Sequence, residues 1–251
     1  KVDIVFIPVA RDQLIPALLD GRGDIAAASL TITPERRKEV DFADPLIGDI
    51  DEIIVTGTDV PERFKLEDLS GREIHVRESS SYYESLLTRN RSLKKAGKPE
   101  VVIKKASPYL EDEDLMEMVN AGLISITVVD NYLAVFWSSI FKDIRVHPKP
   151  ALRKGGQIAW MIRKNSPKLK KAINAFVKGH KKGTLFGNIV LKRYFENTSF
   201  VRDSLGDEDL IRFKHAISLF QKYGGKYQLD WLLVAALAYQ ESGIDQSKRS
   251  P

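Results

Sequence analysis

Residues 24–29 (DIAAAS) form a short apolar run that leads straight into a threonine-rich loop and then into Pro34-Glu35-Arg36. An apolar run of this length, bounded by glycine and polar residues, reads as a buried strand. Thr33 is a natural N-cap, and Pro34 suits the first helical position, where its missing N–H is no loss. Glu35 complements the positive end of the helix dipole, whereas Arg36 opposes it. A cation set there is less natural as a structural device and better suited to holding an anion. Its planar guanidinium can take a carboxylate in two parallel hydrogen bonds, with the Ser29 and Thr31 hydroxyls beside it. The alternative is a solvated arginine on a charged helix, since Arg37 and Lys38 follow.

The chain around this stretch reads as α/β. Residues 1–9 are expected as a strand, followed by a short helix opened by Asp12 and carried by Leu14, Leu18 and Leu19. With residues 24–29 they make a strand–helix–strand unit, which predicts parallel pairing. Further strands are expected at 52–56, 73–77, 101–105, 124–129 and 156–163, with a helical turn at 64–69 and helices at 113–121 and 189–195. Another helix opens at Asn165-Ser166-Pro167 and places Leu169, Ile173, Phe176 and Val177 on one face. Ser79, Ser80 and Ser81 sit between a strand and a helix, an anion-friendly turn. Asp130 falls at the carboxyl end of a strand, where α/β sheets place ligand groups; capping the next helix is the equal alternative.

At 251 residues there is room for one or two domains. The absence of cysteine excludes a disulfide framework and thiolate chemistry. The net charge of +5 is spread out with acids interleaved, which is not a nucleic-acid footprint. No run approaches the roughly 20 apolar residues of a membrane span. His75, His147, His180 and His215 lack metal-ligand spacing, so no metal or other cofactor is expected.

The phrase SLTITPER followed by VDFADP resembles the signature of the family 3 solute-binding proteins, two-lobed periplasmic receptors for amino acids and similar small molecules. The resemblance covers residues 1–195 and implies a type II binding-protein fold. Lobe 1 would comprise residues 1–58 and 153–200, and lobe 2 residues 59–152. It also implies that Arg36 holds a ligand carboxylate, that Ser80 and Ser81 supply hydroxyls, and that Asp130 holds the ligand ammonium. Ser79 stands where the family has glycine. The family begins with a strand, a ligand-contacting loop and a helix ahead of the point where this sequence starts.

Beyond residues 195–206, which read as a linker, the pattern becomes helical. Leu210, Phe213, Ile217 and Phe220 step by three and four, giving an amphipathic helix expected to stop near Gly224-Gly225. Asp230 caps a second helix, WLLVAALAYQES, with Gly243 after it. Glu241 lies in its last turn, where the negative end of the dipole raises a carboxylate's pKa, as a general acid requires. A surface glutamate at a frayed helix end is the plainer reading.

The segment YGGKYQLDWLLVAALAYQESGID resembles the opening of the lysozyme-like lytic transglycosylase domain. Glu241 then falls on the catalytic position and Ser242 on its companion, with Asp245 a structural acid. A solute-binding module followed by this domain resembles the membrane-bound lytic murein transglycosylase F family. The resemblance implies cleavage of MurNAc–GlcNAc bonds in peptidoglycan, with Glu241 as acid and then as base toward the sugar's own C6 hydroxyl. It implies peptidoglycan glycan strands and a cell-wall peptide or amino acid as partners. It also implies a periplasmic site, membrane attachment only through an anchor outside this sequence, and a parent longer at both ends, in which these 251 residues alone are inactive. The competing reading is an amino-acid receptor of an ABC transporter, without enzyme activity.

Overall fold

In the computed structural model the described residues are 3–195, 207–242 and 244. They belong to two compact units, Lys1–Asn197 and Thr198–Pro251. The expected linker at 195–206 lies outside the described residues except for Phe195. No helix among the described residues is long and apolar enough to cross a membrane.

The first unit is mixed α/β. Its helices are α1 (Leu14–Leu19), α2 (Pro34–Glu39), α3 (Ser81–Lys95), α4 (Asp112–Asn120), α5 (Asn131–Ser138), α6 (Pro167–His180) and α7 (Leu185–Phe195). Its strands are β1 (Ile25–Thr31), β2 (Asp41–Phe42), β3 (Ile47–Gly57), β4 (Glu73–Arg77), β5 (Val102–Ala106), β6 (Ile126–Asp130), β7 (Ile144–His147) and β8 (Arg153–Ile162). Among the described residues they make one eight-stranded sheet of order β1-β8-β3-β6-β4-β5, with β2 also on β8 and β7 also on β3.

Two expectations fail here. Residues 3–9 form no strand, and Ile4, Val5 and Phe6 are exposed. An apolar run becomes a strand only where a neighbour supplies a hydrogen-bonding edge, and β1 takes that edge from β8 instead. The pairing is consequently antiparallel, not parallel: Ile25 lies opposite Ile162 and Thr31 opposite Ile158. Among the described residues, parallel pairing is confined to β4 with β5 and with β6.

The long strand β3 changes partners midway. Its first half runs against β8, from Ile47 opposite Ile158 to Glu52 opposite Arg153. Its second half runs between β6 and β7. The core divides accordingly. Leu18, Leu30, Val40, Phe42, Ala159 and Met161 pack at the β1–β8 side. Ile54, Leu69, Ile74, Leu86, Leu93 and Val128 pack where β3, β4 and β6 meet α3.

The second unit is a helix pair. Helix α8 (Asp207–Tyr227) runs through Gly224-Gly225 rather than stopping there. A Cβ at Gly224 would stand 2.6 Å from Cβ of Trp231, so this glycine serves close approach of the next helix rather than termination. The reversal comes at Gln228, in the left-handed region at φ 56°. Asp230 then caps α9 (Trp231–Ser242), accepting from the Leu232 N–H at 2.9 Å. The Leu210 and Phe213 side chains lie outside the described residues, while Leu233 and Leu237 are exposed.

Ile54 is 1% exposed within the larger core. Ile54→Ala should cost about 2–5 kcal/mol, through lost transfer energy and the cavity left behind. Denaturant unfolding checks this, with a drop in midpoint expected at unchanged slope.

Candidate functional site

Helix α2 is built as its sequence suggests. Thr33 accepts the Arg36 N–H at 3.2 Å and Pro34 opens the first turn. The same Thr33 hydroxyl donates to Glu84 on α3 at 3.0 Å, and this fixes where the helix starts. Arg36 is thereby turned inward and is 7% exposed, which excludes the solvated alternative. It gives Nη1 to the Thr31 carbonyl at 2.7 Å and Nη2 to the Ser79 carbonyl at 2.8 Å. Burial lowers its pKa, and nearby Glu84 opposes that.

Asp130 ends β6 and is 3% exposed. It is the N-cap residue of α5, but its side chain makes no capping bond, so the helix-cap alternative does not account for the carboxylate. Its backbone N–H donates to the Tyr82 hydroxyl at 3.1 Å. That hydroxyl donates to Asp112 at 3.1 Å, and Asp112 in turn is paired with buried Arg77. Arg77 also holds the Leu110 carbonyl at 2.6 Å. Asp130 Oδ1 is buried without a hydrogen-bond partner among the described residues. Burial, then Asp112 and Glu52, push its pKa up to about 8, against the pull of Tyr82 and Arg36.

The strand register sets Glu52 directly opposite Asp130 on one side and Arg153 on the other. Direct cross-strand partners share a face of the sheet. Glu52 is 1% exposed. Its Oε2 accepts from the Ser85 hydroxyl, and Arg153 Nε stands 3.7 Å from Oε1. Arg153 also approaches Glu84 at 3.8 Å.

The other expected residues are placed as follows. Ser29 is exposed, at φ 52° inside an irregularity of β1 between Ala26 and Leu30. Such a bulge re-aims a side chain away from the regular pleat. Thr31 is buried and gives its carbonyl to Arg36. Ser80 uses its hydroxyl to cap α3, donating to the Arg77 carbonyl at 2.7 Å and accepting from the Tyr83 N–H at 3.3 Å. Ser81 is buried on the first turn of α3, and its carbonyl accepts from Arg153 at 3.4 Å. In the second unit Glu241 is exposed at the end of α9, and Ser242 donates back to the Ala238 carbonyl at 3.0 Å. Asp245 lies outside the described residues.

Arg36, Asp130 and the serine turn therefore share one neighbourhood in the first unit. Sequence reasoning missed Glu52, Tyr82, Tyr132, Asp112 and Arg153, which complete it. Tyr132 follows Asp130 on α5, and burial and Asp130 raise its phenol pKa. Arg77, a charged residue at the end of a strand, was an available signal, whereas Glu52 lies in the middle of β3. No group of His, Asp or Glu among the described residues has an arrangement that could hold a metal ion.

A mixed α/β unit with a buried arginine and a buried acid in one neighbourhood has the character of a small-molecule receptor. The model for bacterial extracellular solute-binding proteins, family 3, matches residues 1–197, and the chain belongs to that family. It has the fold of the two-lobed type II binding proteins. It resembles, at 26% identity and a TM-score of 0.63, an ancestral arginine-binding protein solved with arginine, over 77% of this chain and 81% of that one. Two curated relatives are named membrane-bound lytic murein transglycosylase F. The protein of Desulfosudis oleivorans is 29% identical over 248 residues, covering 95% of this chain and 51% of the relative. That of Shewanella halifaxensis is 31% identical over 256 residues, covering 95% and 49%. The chain thus spans about half the length of the curated relatives it matches.

The raised pKa of Asp130 has a definite sign. An acid whose folded-state pKa lies near 8 rather than 3.8 binds more protons folded than unfolded between those values. Stability is therefore lost as pH rises from about 4 to about 8. Asp130→Asn removes that loss, so the variant should gain on the wild type through this window, on the order of 5 kcal/mol at its upper end. Thermal melts at pH 5 and pH 8 check it; a constant gap between the two proteins would contradict the assignment.

Proposed function

We propose that the first unit receives free amino acids or short cell-wall peptides, with the ligand carboxylate on Arg36 and its ammonium on Asp130. The observation that carries this reading is the Asp130 carboxyl, buried with one oxygen lacking a hydrogen-bond partner among the described residues. A buried acid in that condition is held neutral until a cation supplies both a proton donor and an opposing charge. Arg36 gives two N–H groups to carbonyls, and a guanidinium has five. Ser29, Thr31 and Ser81 contribute polar groups around it, while Ser80 holds the turn. Lobes of 1–58 with 153–200 and of 59–152 would each contribute one charge, so the ligand favours the arrangement in which the two come together.

We further propose that the second unit, with 201–251 as linker and first helices, opens a lytic transglycosylase domain in a periplasmic, outer-membrane-associated enzyme. Glu241 is its acid and base, Ser242 supports it, and peptidoglycan glycan strands are the substrate. Binding in the first unit would regulate that activity. The names of the curated relatives and the position of Glu241 at the end of a helix capped by Asp230 support this reading. The likeness to an arginine-binding protein favours a second reading, an amino-acid receptor of an ABC transporter without enzyme activity.

Two measurements test these readings. Arg36→Ala should weaken binding of a free amino acid or stem peptide by about 2–5 kcal/mol in calorimetry, because the ligand carboxylate is left buried and unpaired. Unchanged affinity would remove Arg36 from the site. In the full-length protein, Glu241→Gln should abolish release of 1,6-anhydro-muropeptides while leaving the melting temperature in place, since glutamine cannot deliver and reclaim a proton. A full-length wild-type protein that releases none would favour the transport receptor.

A further inference from the structure

Glu52 has no part in the clamp of Arg36 and Asp130, but it carries the same mark as Asp130. Both side chains are at least nine-tenths buried, and in each one carboxylate oxygen lacks a hydrogen-bond partner among the described residues. The two residues lie directly opposite on β3 and β6, so their side chains leave the sheet on one face. Ser85 fixes the other Glu52 oxygen, which holds the carboxylate in place rather than satisfying it fully. Arg153 at 3.7 Å tempers the charge but makes no hydrogen bond to the orphan oxygen. Tyr82 cannot serve either, because its hydroxyl already donates to Asp112 and accepts from the Asp130 backbone.

We infer that Glu52 is a second ammonium ligand, making the site select a free primary amine and reject N-acylated ligands. The inference rests on the reading of Arg36 and Asp130 as a zwitterion clamp. The chemistry of the two candidate groups decides the preference. A primary ammonium has three N–H donors and a full positive charge, so it can satisfy Asp130 and Glu52 together and offset their mutual repulsion. An acylated nitrogen is neutral and has a single N–H. It leaves one buried carboxylate oxygen without a donor and the two acids without a counter-charge, a condition that binding sites built on buried polar groups discriminate against strongly. Amino acids, peptides with a free N-terminus and peptides offering a side-chain amine fit the pair. Peptides whose only candidate nitrogen is amide-linked do not.

The test is calorimetry on the protein with L-alanine, L-glutamine, L-lysine and L-arginine, each beside its Nα-acetyl form, and with Nα,Nε-diacetyl-L-lysine. The wild type should bind at least one free amino acid and none of the fully acetylated forms. Glu52→Gln should weaken the free amino acid about 10- to 100-fold, the scale of one charge-assisted hydrogen bond. Glu52→Asp, which keeps the charge but withdraws it by one methylene, should fall between. Glu52→Gln keeps the side-chain shape and an acceptor for the Ser85 hydroxyl, so it should fold; if it does not, Glu52→Asp carries the comparison. A free amino acid whose affinity depends on Asp130 but not on Glu52 would overturn this inference and leave the clamp standing. Binding that is indifferent to Asp130→Asn would overturn both, and no binding by any of the four free amino acids would overturn this inference.

Discussion

Two carboxylates set face to face on neighbouring strands, both removed from water, are the constraint on which the first unit turns. Like charges directly opposite destabilise a strand pair, and burial makes the repulsion worse. The surroundings of Glu52 and Asp130 are organised around that cost. Ser85 donates to Glu52, Arg153 stands across the strand from it, and Tyr82 receives the Asp130 N–H while donating to Asp112, which pairs with Arg77. What remains is a proton on Asp130 near neutral pH, which keeps that acid neutral. The proposed recognition of a cationic nitrogen would give such a pair a use that stability does not.

The sheet explains why these groups meet. Glu52 lies where β3 passes from its partnership with β8 to that with β6 and β7, so one residue faces Arg153 and Asp130 at once. Arg36 reaches the same neighbourhood by a different route. A threonine cap and a proline fix the first turn of α2, and the bond from Thr33 to Glu84 locks that turn against α3. Local rules of helix initiation therefore aim a guanidinium, and long-range strand register aims the acids.

This division also marks what could be read from sequence. Thr33, Pro34 and Arg36 were legible because capping is local, and Asp130 because a strand ended on it. The helix starting at Ser81 and the strand Glu73–Arg77 were legible for similar reasons. Glu52 was not: a glutamate heading an apolar strand announces nothing until its cross-strand partners are known. Residues 1–9 misled for the same reason in reverse, since their apolar pattern is that of a strand but β1 pairs with β8. Gly224 read as a helix stop because conformational freedom is the commoner use of glycine; here the absent Cβ makes room for Trp231.

In the proposed site, Asp130 is neutral in the free protein and ionised when an ammonium sits on it. Calorimetry of a binding free amino acid near pH 7, in buffers of differing ionisation enthalpy, counts the protons exchanged on binding. With Asp130 near 8 in the free state and lowered by the bound cation, close to one proton should be released per ligand at pH 7, declining above pH 8. Binding with no proton release at pH 7 would contradict the claim, because the acid would already have been charged before the ligand arrived.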